Sequence, residues 1–173
     1  HDLRVPQGRP VRLQTGASIR SRPIRDSLEG AVSLEGHVHR PGRVQHRAGM
    51  RLTDLIGSLD ELRPLADTHY VLIRRETGPT RRVSAVSADL AAAFAVRGGE
   101  ADILLQSRDR IHVFDLASSR DRFIAPIIRE LDRQSGRDEP RQVVAVGGRV
   151  KVPGQYPLEP GMTVSDLIRA GGS

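Results

Sequence analysis

The 173-residue chain reads as an α+β protein, a small sheet carrying short helices. Three observations predict this: apolar residues alternate in some stretches, recur at helical spacing in others, and one block of both signals occurs twice. The block "GHVHRPGRVQHRAGMRLTDLI", Gly36 to Ile56, returns as "GRVKVPGQYPLEPGMTVSDLI", Gly148 to Ile168, at a constant offset of 112 without a gap. Identical pairs are Gly36/Gly148, Val38/Val150, Pro41/Pro153, Gly42/Gly154, Gly49/Gly161, Met50/Met162, Asp54/Asp166, Leu55/Leu167 and Ile56/Ile168. Self-similarity at a fixed period implies a structural unit used more than once, as in binding arrays and scaffolds.

Each element follows from local chemistry. Val32, Leu34 and Val38 share one parity and predict a half-buried strand. Pro41-Gly42 and Pro153-Gly154 predict a turn, proline fixing φ at its second position and glycine taking positive φ at its third. Short strands follow at 43–46 and 155–158. Gly49 and Gly161 mark another turn, after which Leu52, Leu55, Ile56 and Leu59 lie at i, i+3, i+4 and i+7 on one face of a short helix. Thr163 with Asp166 forms a capping box, which Arg51 cannot do with Asp54. Beyond the first copy, "HYVLIRRE" and "RRVSAVS" flank a "TGPT" turn, a short helix covers 89–95, and "DILLQSRDRIHVFD" supplies two short strands or a bent one. Pro126 as first residue and Gly136 as stop bound a connecting helix over 126–135, with Ile127, Ile128 and Leu131 on one face.

The domain reading is therefore residues 1–30 as the tail of a preceding repeat plus linker, 31–116 as one complete domain, 117–140 as a connecting helix and linker, and 141–173 as the first half of a second domain. Val5, Val11 and Leu13 match Leu105, Ile111 and Val113 at an offset of 100, which supports the tail. The chain opens on His1 and stops at "AGGS" within the second copy, so the expectation is a segment cut from a longer protein. About 33 residues are too few to bury a core, and the half-domain is expected to be completed by residues 1–24 or by another chain.

Composition bounds the chemistry. No run nears the roughly 20 apolar residues of a membrane helix. Without cysteine there are neither disulfides nor thiolate metal sites. The formal charge is +6, and all 27 basic residues but Lys151 are arginines, which suits carboxylate or phosphate contacts but equally reflects a high-GC genome. Arg74, Arg75, Arg81 and Arg82 flank "ETGPT" and place four cations near one hairpin tip, a candidate polymer- or partner-binding site. His37, His39 and His46 could converge, but their counterparts Arg149, Lys151 and Leu158 argue for an outward polar face rather than a metal site. No nucleophile motif is present, so neither catalytic residues nor cofactor nor enzyme activity are expected. With Tyr70, Phe94, Phe114, Phe123 and Tyr156 as the only aromatics, weak guidance of a polymer fits better than tight stacking.

The stretch "VVAVGGRVKVPGQYPLEPGMTVSDLIRAGG" resembles the SLBB module, the soluble-ligand-binding β-grasp domain, most of all the copies in Wza-type polysaccharide export proteins. The motif is carried by Gly148, Pro153, Gly154, Gly161 and Asp166, and in the first copy by Gly36, Pro41, Gly42, Gly49 and Asp54; there Gly57-Ser58-Leu59 departs from Arg169-Ala170-Gly171. The resemblance implies a ubiquitin-like β-grasp fold in tandem with incomplete flanking copies and a periplasmic location in an outer-membrane-associated parent. It further implies a homo-oligomeric export assembly for a polysaccharide, possibly anionic, with an inner-membrane polysaccharide co-polymerase as partner. A DNA-binding module of a competence-type uptake protein and a receptor for a small soluble ligand are the alternatives.

Overall fold

The computed structural model describes residues 30–136 and 140–172. Residues 1–29, with the matches at Val5, Val11 and Leu13, lie outside the described residues, as do 137–139 and 173. Five strands form one mixed sheet: β1 (Ala31–Gly36), β2 (Gly42–Gln45), β3 (Ala66–Thr77), β4 (Arg82–Ala88) and β5 (Arg110–Asp115), in the order β2-β1-β5-β3-β4. The central pair β1/β5 is parallel and every other pair antiparallel. Helices α1 (Leu52–Ile56) and α2 (Leu90–Ala95) precede β3 and β5, and α3 (Asp121–Gln134) leads to a separate two-stranded sheet, β6 (Val143–Val146) with β7 (Gly154–Pro157), followed by α4 (Val164–Ala170). This is the α+β architecture read from the sequence. No helix among the described residues is long and apolar enough to cross a membrane.

The centre of the sheet is buried on both faces, while β2 is exposed. Val32, Leu34, Val71, Ile73, Ile111 and Val113 point to one side, where Leu52, Leu55 and Ile56 of α1 and Leu90 of α2 close the larger core. Alternate residues of the same strands, Tyr70, Leu72, Ala85 and Phe114, point to the other, where Ile124 and Ile128 of α3, Tyr156 of β7 and Ala170 of α4 cover them. Two covered faces explain why "YVLI" in β3 is a continuous apolar run rather than an alternating one.

The two sequence copies fold to the same local elements. Ala31 faces Gln45 and Leu34 faces Gly42 across β1/β2; Val143 faces Pro157 and Val146 faces Gly154 across β6/β7, the same register at the offset of 112. Gly36 and Gly148 take φ of 92° and 90°. The amides of Val38 and Val150 each donate to the carbonyl two residues back, at 2.9 and 3.0 Å.

Two local expectations are corrected. Gly42 and Gly154 do not take the positive φ expected of a turn's third position: they open β2 and β7, while Gly36 and Gly148 hold the left-handed conformation in each hairpin. The connecting helix starts at Asp121, not Pro126, which sits inside it. Burial of Ile124, Ile128 and Leu131, spaced i, i+4, i+7, draws the earlier turn onto the sheet and outweighs the amide that proline lacks. Of the stretch from Asp102 to Asp115, only β5 is a strand; Leu104 contributes one isolated bridge to Arg51.

Candidate functional site

The arginines flagged at the β3/β4 hairpin do not act together at its tip. Arg74 and Arg75 are consecutive strand residues and project to opposite faces. Arg75 pairs at 2.7 Å with Asp109, which is fully buried, and also donates to the Leu104 carbonyl. Arg74 lies beneath α3, with Nη1 2.7 Å from Glu76 and Nε 2.8 Å from Glu130. Burial works against its charge, but the hydrogen bonds it donates to both glutamates outweigh that and raise its pKa; the same bond from Arg74 lowers that of Glu76. Arg81 and Arg82 are exposed at the tip, Arg81 with φ 52°.

The three histidines also separate. His37 Nε2 lies 2.7 Å from the Pro64 carbonyl, His46 Nε2 lies 3.0 Å from that of Leu105, and His39 is exposed. No group of three or more metal-ligating side chains gathers among the described residues.

What the fold brings together instead is a groove on the outer sheet face, along the side of α3. Two adjoining hollows of about 190 and 180 Å³ share Arg110. One is lined by Glu35, Arg74, His112, Arg122, Phe123 and Glu130, among others. The other is lined by Arg43, Glu76 and Arg108 with Ala31 and Ser33. Five arginines thus face three glutamates, and Arg110 and Arg122 form no salt bridge among the described residues.

His112 forms the floor. Its ring lies 3.7 Å from that of Phe123, centroid to centroid, and Nδ1 is buried without a partner. Burial lowers its pKa from 6.5 to about 4, so at neutral pH the ring is uncharged. Phe123 remains 42% exposed. A partly open aromatic edge and guanidinium groups without a salt bridge together suit a ligand with an apolar ring face and negative charge. Sequence reasoning missed the groove because Arg43 lies on β2, Arg108 and Arg110 at the start of β5 and Arg122 on α3. The usable signal was the outward parity shared by Arg110, His112 and Phe114 on β5.

The motif residues prove to shape backbone. Asp166 accepts from the Thr163 amide at 2.9 Å and from its hydroxyl, and the Asp166 amide donates to Thr163 Oγ1, completing the expected box. In the first copy only the return bond forms: the Arg51 amide donates to Asp54 at 2.8 Å, since a guanidinium cannot accept. The missing cap comes from Asp102, 1% exposed, whose carboxylate accepts from the Thr53 amide, the Thr53 hydroxyl and the Gly98 amide at 2.8–3.0 Å. The departure at Gly57 ends α1 early, with φ 73°, whereas α4 continues to Ala170. There Gly171 packs its bare backbone against Val150 and Val146.

The hinge between the two copies is Arg120, 1% exposed. It pairs with Asp67, donates to the Ala170 carbonyl, and lies 4.8 and 5.2 Å from the rings of Tyr70 and Phe114. One side chain therefore binds α4 to the outer face of the first sheet.

The chain thus carries the same hairpin register at an offset of 112 and an arginine-lined groove beside the first copy. Residues 143–172 match the family model of the SLBB domain, a soluble ligand-binding module. No curated protein matches the chain.

Proposed function

We propose that the chain is a non-enzymatic segment of an envelope polysaccharide-export protein, built from β-grasp SLBB units in tandem, and that it guides an anionic glycan along the Arg110 groove. The observation that carries this reading is the SLBB match over 143–172 together with the same strand register 112 residues earlier. The order β2-β1-β5-β3-β4, with its central parallel pair, supports a β-grasp unit in residues 31–116. The open groove supports weak, repeated contact with a polymer, which gains strength when units are multiplied around an assembly. In this reading the parent protein works in the periplasm as a homo-oligomer beside an inner-membrane co-polymerase, and carries no cofactor.

The test is a titration of the 173-residue chain with an oligogalacturonate, a neutral oligogalactan and a single-stranded oligonucleotide, followed by amide shifts. The uronate should move Arg110, His112, Arg122 and Phe123, and Arg110→Ala with Arg122→Ala should weaken it roughly three- to tenfold. Equal responses to the neutral sugar, or none to the uronate, would sink the proposal. Tighter oligonucleotide binding with a steep salt dependence would favour a nucleic-acid module instead.

A further inference from the structure

The sheet register lines up arginines on one face. Ser33 faces Arg43 across β1/β2 and Arg110 across β1/β5, and Arg110 faces Arg74 across β5/β3. Val32 and Leu34 enter the inner core, so Ser33 and the rest of its row point to the outer face. Arg43, Ser33, Arg110 and Arg74 therefore stand side by side, about 5 Å from one strand to the next. Like charges set opposite each other destabilise a sheet. Arg74 is answered by Glu76 and Glu130, but Arg43 and Arg110 are exposed and form no salt bridge among the described residues.

Arg108, in the turn before β5, brings a third cation to the hollow of about 180 Å³ that Arg43, Arg110 and Ser33 line. It too forms no salt bridge among the described residues, and its Nε is buried without a partner. Its φ of 72° is the left-handed conformation, which glycine takes freely and arginine only at a cost. Strain of this kind gathers where a side chain is held for a ligand. The carboxylate that lines the hollow, Glu76, already accepts from Arg74 at 2.7 Å. Two residues further along the sheet the row Glu35, His112 and Leu72 carries no arginine, and the adjoining hollow sets Glu35 and Glu130 near Phe123. Unanswered positive charge is thus concentrated at one spot rather than spread along a track.

We propose that Arg43, Arg108 and Arg110, with the Ser33 hydroxyl, form a subsite for a phosphate monoester carried as a substituent on the glycan, whose sugar ring lies towards Phe123. A phosphate monoester offers three free oxygens, one for each guanidinium. Its charge of about −1.5 to −2 at neutral pH offsets more of the three cations than a uronate carboxylate or a phosphodiester does. A nucleic-acid backbone, with a phosphate on every residue, would bring its next charge against Glu35 and Glu130. The sugar's position rests on the groove reading proposed above, whereas the phosphate site rests on the arginine row alone.

The test follows amide shifts of the 173-residue chain with glucose 1-phosphate, oligogalacturonate and a single-stranded oligonucleotide lacking terminal phosphates. Glucose 1-phosphate should move Ser33, Arg43, Arg108 and Arg110. Arg43→Gln, on an exposed edge strand, and Arg108→Gly, which removes the strained φ, should each weaken it roughly three- to tenfold. Neither should lower the melting temperature, so the loss reports the missing guanidinium. Arg43→Gln keeps the test decisive should Arg108→Gly fail to fold. The oligogalacturonate response at Arg122 and Phe123 should persist in both variants. No shift of the row with glucose 1-phosphate, binding unchanged by Arg43→Gln, or tighter binding of the oligonucleotide at the same arginines overturns the subsite. A retained oligogalacturonate response without phosphate binding overturns this inference and leaves the groove reading standing; phosphate binding without any uronate response does the reverse.

Discussion

Replacing Arg120 tests whether the two copies form one folded unit. The guanidinium and its partner Asp67 are 1% and 3% exposed, and the other Asp67 oxygen accepts from the amides of His69 and Tyr70 at 2.9 and 3.1 Å. Arg120→Ala therefore leaves a carboxylate buried without its cation, a loss of about 3–5 kcal/mol. It also removes the contacts to Tyr70, Phe114 and the Ala170 carbonyl. For a chain of this size the melting temperature should fall by roughly 10 °C. Urea unfolding at pH 7 measures the effect, read as a shifted midpoint with unchanged slope. Arg120→Met with Asp67→Asn removes both charges while the asparagine carbonyl still accepts the two amides. The double variant should recover about 1–3 kcal/mol over the arginine variant alone. A shift below about 1 kcal/mol for Arg120→Ala, or strictly additive single losses, would refute a buried pair joining α4 to the sheet.

Asp102→Ala should destabilise by about 2–3 kcal/mol, because the buried amide and hydroxyl of Thr53 and the part-buried amide of Gly98 lose their acceptor; exchange at the start of α1 should rise with it. His112 should titrate well below 6.5 in the folded chain. Since its folded pKa of about 4 lies below the unfolded value, the neutral ring's contribution to stability is complete above 6.5 and is lost as pH falls towards 4. A ring-proton NMR titration with a midpoint near 6.5 would contradict that burial. Leu65 holds φ 65° and is 68% exposed, while its carbonyl accepts the Leu116 amide. Leu65→Gly should relieve the left-handed strain and stabilise by up to about 1 kcal/mol in thermal unfolding, net of glycine's backbone entropy.

Local chemistry was legible in the residues themselves. The parity of Val32, Leu34 and Val38, the Thr163/Asp166 cap, the turns at Gly49 and Gly161 and the short helix over 89–95 each rest on neighbours a few positions apart. So does the repeat, because a constant offset needs no knowledge of space. The start of α3 was misread because Pro126 is a strong local signal and the face that overrides it, Ile124 with Ile128, acquires meaning only against Tyr70 and Phe114.

The sequence by itself determined the kind of most local elements and the 112-residue offset at which one pattern of residues recurs. Those properties depend on side-chain period and backbone preference within a few turns of chain. Tertiary structure alone decided that the second copy packs on the outer face of the first sheet through Arg120. It also decided that Arg74 meets Glu130 and Arg75 meets Asp109, and that five elements, β1, β2, β3, β5 and α3, line one cationic groove. Contacts between residues dozens of positions apart are chosen by how apolar faces can be buried together, and that choice belongs to the whole fold.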